Sequence, residues 1–154
     1  MGNKYAFTGT RKGMTPLQMR TLMTELLRIK LAGGRPEFHH GGAEGADHEA
    51  HVIALSVGFL MRVHPSNNNV APETAYYWDT ARVEEMCPPL VRNHDIVDFS
   101  HILFATPAEQ EEQVRSGTWA TIRYGSGRIK KKPHSGPYAV RIIYPNGEIE
   151  EIRP

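Results

Sequence analysis

The sequence predicts an α/β fold: a mostly parallel sheet with helices on both faces and a C-terminal β-hairpin. Two observations carry this. Short apolar runs alternate with stretches of helical periodicity along most of the chain, and strands joined through helices pair in parallel. Near the end, Asn146-Gly147 separates two alternating runs, a hairpin signal.

"KYAFTG" gives the first strand, residues 4–9. "TPLQMRTLMTELLRIKLAGG" gives the first helix, with Thr15 as its cap, Pro16 at its first position and Gly33-Gly34 ending it. Met19, Leu22, Met23 and Leu26 form its apolar stripe. "EFHHGG", residues 37–42, is a second strand breaking into glycine. "GADHEAHVIALSVG" is the second helix, with Ala46, Ala50, Ile53, Ala54 and Val57 on one face. "FLMRVHP", residues 59–65, is a third strand, and "SNNNVAPETAYYWDTARVEEMCPP" a long irregular connection of the kind that serves function. "PLVRNHDIVDFS" is the third helix, with Leu90, Ile96 and Val97 marking its buried side. "HILFATP", residues 101–107, is a fourth strand. The polar "AEQEEQVRS" leads into a helix "GTWATIRYG", and "GRIKKKPHSGP" is a basic loop before the hairpin.

The chain has 154 residues, of which 40% are apolar, which fits one soluble domain spanning residues 1–154. Nothing approaches the roughly 20 apolar residues of a membrane span. The start lacks the apolar centre of a signal peptide, and Ala6 stands where a myristoylation signal needs a hydroxyl. The lone cysteine, Cys87, fits a reducing compartment and core packing, so a cytoplasmic location is expected. A net charge of +1 gives no global field toward nucleic acid or membrane.

Open parallel sheets bind ligands beyond the carboxyl ends of their strands. Such ends here carry "TGTR" (Gly9, Thr10, Arg11), "GGAEGAD" (Gly41, Gly42, Ala43, Gly45, Asp47) and "RSGT" (Ser116, Gly117, Thr118). Glycine lets backbone approach a ligand, and a helix start offers unpaired N–H groups with about half a positive charge. Together they predict a site for a phosphorylated small molecule. Each turn alone also fits plain strand–helix packing. Arg92 and Asn93, close to a core stripe, have the chemistry to meet phosphate or ribose.

Four histidines fall between His39 and His51. His48 and His51 lie three apart on a helix, a spacing compatible with a metal, but no paired cysteines accompany them. His39 and His40 are neighbours in a strand and point to opposite faces. No metal and no cofactor is expected. His64, at a strand end, is a candidate ligand contact or acid–base, and Asp47 is the other weak catalytic candidate. Tyr76, Tyr77 and Trp78 have the rings for either a stacking lid or a subunit contact. Lys130, Lys131 and Lys132 form a basic cluster that most simply faces solvent.

"FTGTR", "HHGGAEGADHEAH", "VHP", "PPLVRNHDIVDFSHILFATP" and "RSGTWATIRYG" together resemble the SLOG superfamily of Rossmann-like proteins, named for Smf/DprA and LOG. The nearest likeness is to a small stand-alone branch of bacteria and phages, over residues 5–144. The resemblance implies a Rossmann-like domain that binds a nucleotide or nucleotide-derived ligand at the strand ends, with pairing into a homodimer. LOG enzymes are phosphoribohydrolases with a motif "PGGxGTxxE". Here Gly117 and Thr118 match its "GT", Thr121 stands in place of the glutamate, and Gln113, Val114 and Arg115 replace the leading residues. Threonine neither stabilises an oxocarbenium-like charge nor activates water well. The expected function is therefore binding, as sensor or sequestering protein. Nucleotide N-glycoside hydrolysis is the alternative and single-stranded DNA binding the third, which the near-neutral charge argues against.

Overall fold

The structure, a computed structural model, describes residues 3–66, 80–131 and 137–154. Seven strands form one sheet: β1 (Lys4–Gly9), β2 (Glu37–His40), β3 (Leu60–Val63), β4 (Arg82–Val83), β5 (Ile102–Thr106), β6 (Ala139–Ile143) and β7 (Ile149–Ile152). Their order across the sheet is β4-β3-β2-β1-β5-β6-β7. Every pairing is parallel except β6 with β7, which closes the sheet as an antiparallel edge, as the Asn146-Gly147 turn predicts. Among the described residues the helices include α1 (Pro16–Leu31), α2 (Ala46–Val57), α3 (Pro89–Asp98) and α4 (Gly117–Lys131). This is the expected Rossmann-like α/β architecture. No helix among the described residues is long and apolar enough to cross a membrane.

The central strands read as continuous apolar runs because both of their faces are covered. Tyr5, Phe7, Phe38 and Phe104 face α1 and α2, packed with Leu22, Leu26, Ala50 and Ala54. Ala6, Leu103, Ala105 and Val140 face α3 and α4, packed with Ile96, Val97, Trp119 and Ile122. The edges are short or charged, with Arg82 on β4 and Glu150 and Glu151 on β7, which discourages further strand addition.

Thr15 caps α1 as expected. Its hydroxyl accepts from the Gln18 N–H while the Gln18 side chain accepts from the Thr15 N–H, a reciprocal capping box. Gln18 also donates to the carbonyls of Pro107 and Ile143, so a buried polar residue staples the helix to two strand ends. The apolar stripe is narrower than predicted. Leu22 and Leu26 are fully buried, but Met23 is 40% exposed and Glu25 takes an inward place, paired with Arg28 and Arg141. On α3, Leu90 is 66% exposed, and the inward line runs through Arg92, Ile96 and Val97 instead.

Two further boundaries differ from expectation. The connection after β3 contains β4, two residues paired in parallel with β3 and too short to show a period; Tyr76, Tyr77 and Trp78 lie outside the described residues. Residues 127–131, expected in a basic loop, are the end of α4. Gly125 and Gly127 suggest a break there. Gly125 is a packing device instead: a Cβ on it would meet Leu103 Cδ2 at 3.1 Å and Val140 Cγ2 at 3.2 Å. Ile129, 1% exposed, anchors the turn, and Arg128, Lys130 and Lys131 suit the negative end of the helix dipole.

Candidate functional site

The strand order reverses at β1, whose neighbours are β2 on one side and β5 on the other. A topological switch of this kind leaves a crevice at the carboxyl ends of the strands. The structure has a cleft of about 360 Å³ there. Its floor is the end of β1, its walls are the turn after β2 and the first turn of α2, and α3 and the start of α4 complete it.

Most sequence-predicted residues meet in this cleft. Gly9, Thr10 and Arg11 line it from the end of β1 and the turn after it, and Gly41, Ala43 and Asp47 from the β2–α2 turn and the first turn of α2. Arg92 and Asn93 reach it from α3, and Ser116, Gly117 and Thr118 from the start of α4. Gly42 and Gly45 do not line it but shape its wall, with φ of 68° and 82° that suit glycine. His64 is carried away from it. β3 lies two strands from β1, and the His64 ring stacks on His39 in a separate groove.

The glycines act mainly by letting chain segments touch. A Cβ on Gly45 would lie 2.3 Å from the Arg11 carbonyl oxygen, and one on Gly9 would lie 2.5 Å from both Ala46 Cβ and Thr106 Oγ1. The Ala46 N–H donates to the Thr10 carbonyl at 3.0 Å, and the Thr10 N–H to that of Thr106 at 3.1 Å, so the turns after β1, β2 and β5 are laced together. Gly117 differs, since a Cβ there would meet nothing within 4 Å. Ser116 caps α4 by accepting from the Trp119 N–H, which leaves the amides of Gly117 and Thr118 at the helix start without an intrahelical acceptor.

Charge in the cleft is mixed and mostly positive. Arg11, Lys12, Arg92 and Arg115 line it against Asp47 and Glu109. Arg92, 7% exposed, donates through Nη1 to the carbonyls of Gly41 at 2.7 Å and His64 at 3.2 Å, and through Nε to Asn93 Oδ1 at 2.7 Å. It fastens α3 to the ends of β2 and β3 and brings a cation to the cleft wall. Asp47, 6% exposed, accepts from the Ala43 N–H at 3.1 Å. Burial pushes its carboxyl up to about 6, against the opposing pull of the Ala43 and Gly41 amides, Arg92 and Arg11. Thr121 also lines the cleft, but its hydroxyl is engaged by the Gly117 carbonyl at 3.0 Å.

Glu109 has no distinguishing mark in the sequence, where it is one acid among several in "AEQEEQ". In the fold its Oε1 accepts from the Trp119 indole N–H at 3.1 Å, which fixes a carboxylate at the cleft.

The histidines form two hydrogen-bonded files on opposite sheet faces, as the alternation of His39 and His40 requires. On one face Glu37, His39 and His64 run in line, with His39 Nε2 3.1 Å from Glu37 and Nδ1 2.9 Å from His64 Nε2. On the other, the Gly42 N–H donates to His40 Nδ1, so His40 Nε2 donates to His51 Nδ1 at 2.7 Å, and His51 Nε2 donates to Thr80. Burial lowers all four imidazoles, pulling His51 and His64 down to about 4 with the help of neighbouring histidines, while Glu37 opposes the shift at His39. Among the described residues no three His, Cys, Asp or Glu side chains stand together as a metal site. Lys130 and Lys131 sit at the far end of α4, about 20 Å from its start; Lys132 lies outside the described residues.

Compared with protein-family models and with curated proteins, the chain matches none of them.

Proposed function

We propose that the cleft binds a small phosphorylated ligand, a nucleotide or a nucleotide-derived molecule, and that the protein senses or sequesters it. The observation that carries this reading is the meeting of separate strand-end turns at one cleft that also holds the start of α4 and four basic side chains. The open amides of Gly117 and Thr118 suit phosphate oxygens, and Arg11 and Arg115 stand by to neutralise them. A volume of about 360 Å³ suits one nucleotide better than a dinucleotide. The resemblance to the SLOG superfamily supports the same ligand class.

Native mass spectrometry of freshly purified protein tests this by looking for a carried-over nucleotide. Titration with AMP, ATP, NAD and cyclic nucleotides follows, with Arg11→Glu expected to weaken binding at least about tenfold. If no nucleotide is carried and none of these binds at millimolar concentration, the reading fails.

A second reading, hydrolysis of a nucleotide N-glycosidic bond, is favoured by one observation. Two carboxylates, Asp47 and Glu109, stand in the cleft although Thr121 occupies the place of the LOG-type glutamate. Free base released from nucleoside monophosphates, and lost in Asp47→Ala or Glu109→Gln, would establish turnover.

A further inference from the structure

Glu109 is a carboxylate in a cleft where Arg11, Lys12, Arg92 and Arg115 outnumber the acids. The Trp119 indole N–H holds Glu109 Oε1 at 3.1 Å, and Trp119 is itself fixed, 4% exposed in the first turn of α4. Among the described residues Oε2 has no hydrogen-bond or ion-pair partner. Arg11, Lys12 and Arg115 likewise make no ion pair with Glu109. The Glu109 carboxylate thus shares the cleft with these cations without an ion pair to any of them.

That pattern has a chemical meaning. An anion without donors, such as the methyl phosphate dianion, gains from the cations but is repelled by the fixed carboxylate. A molecule with phosphate at one end and hydroxyl or amino donors at the other satisfies both signs. Vicinal hydroxyls can donate to the two oxygens of one carboxylate, and hydrogen bonds to a charged acceptor are the strong kind. We propose that Glu109 is the selectivity residue of this cleft, admitting phosphate esters that carry hydroxyl or amino donors and turning away phosphates that carry none. This rests on the reading of the cleft as a phosphate site. It adds which part of the ligand lies next to the loop after β5, and it makes Trp119 a positioning residue that acts through Glu109.

The test is calorimetric titration of the wild type and Glu109→Gln with ribose 5-phosphate and with methyl phosphate at one ionic strength and about pH 8, where both esters are dianions. The amide introduced by Glu109→Gln keeps an acceptor for Trp119, and thermal unfolding checks that the fold is intact. Ribose 5-phosphate should bind the wild type at least about tenfold tighter than methyl phosphate. In Glu109→Gln that ratio should fall toward one, through weaker ribose 5-phosphate and stronger methyl phosphate binding. Trp119→Phe, which keeps the carboxylate and releases it, should lower the ratio as well. Equal ratios in wild type and Glu109→Gln overturn the role of Glu109 and leave the phosphate reading standing. Failure of both probes to bind the wild type overturns the role of Glu109, while the phosphate reading stands or falls with the nucleotide titrations.

Discussion

Arg92 Nη1 lies 2.7 Å from the Gly41 carbonyl oxygen and packs so closely on Gly41 that a Cβ there would meet Nη1 at 2.5 Å. The same nitrogen reaches the His64 carbonyl at 3.2 Å. One guanidinium from α3 therefore ties together the chain leaving β2 and the chain leaving β3, and the absence of a side chain at Gly41 is what admits it. Arg92→Ala removes a buried donor from two carbonyls and should cost about 2–4 kcal/mol of stability. Arg92→Lys should not restore it, because a single ammonium lacks the fork that serves three acceptors. Urea unfolding measures this, and wild-type midpoints for both variants would refute the clamp.

Gly45 and Gly117 belong to similar-looking turns but have opposite surroundings. Gly45 has φ of 82° and the Arg11 carbonyl against its missing side chain, whereas Gly117 faces open space. Gly45→Ala is expected to destabilise by at least about 2 kcal/mol, through strain and a backbone clash. Gly117→Ala should stay within about 0.5 kcal/mol of wild type. It places a methyl where the cleft is open, so its effect should fall on ligand affinity. Equal melting temperatures for the two variants would show that the Gly45 contact is not rigid.

What the sequence discloses follows from how burial writes itself into a chain. β1 and β5 are covered on both faces, so they must be apolar throughout, and "YAF" and "LFA" betray them. β4 has two residues and no room for a period. The last turn of α4 is hidden because Gly125 looks like a breaker, while its reason is contact with Leu103 and Val140, residues 22 and 15 positions away. At the cleft, Gly41, Asp47 and Arg92 are legible because strand ends of an open sheet are where such groups gather. Glu109 is not, because the indole that singles it out comes from another element. His64 sits at a strand end too, but strand alternation turns its ring onto His39 and leaves only its carbonyl to support the cleft wall, through Arg92.

Asp47 should make the protein less stable as pH rises through the acid range. Its folded pKa, about 6, lies above the ordinary carboxylate value of 3.8, so the folded state holds its proton more tightly than the unfolded state. The stability this confers is complete below the unfolded value and is lost as pH rises to about 6. Asp47→Asn keeps an acceptor for the Ala43 N–H and removes the buried charge. Relative to wild type it should gain about 1–3 kcal/mol between pH 4 and pH 7. A stability difference that does not change with pH would mean that Asp47 is ionised at its usual value.

His51 should act in the opposite direction. It is fully buried between His40 and Thr80, and burial draws its pKa down from 6.5 to about 4. In that window the unfolded chain takes up a proton that the folded chain refuses, so stability falls as pH drops from about 6.5 toward 4. The loss attributable to this ring is up to about 3 kcal/mol. The orientation of the file explains why the proton is unwelcome. The Gly42 N–H fixes Nδ1 of His40 as an acceptor, so His40 must point its own N–H at His51 Nδ1, the atom that acid would protonate. His51→Gln, which has both a donor and an acceptor but no titration, should lower stability at pH 7.5 and flatten the acid limb of the stability–pH curve. If the acid limb of His51→Gln runs parallel to that of the wild type, the neutral imidazole file does not govern acid sensitivity.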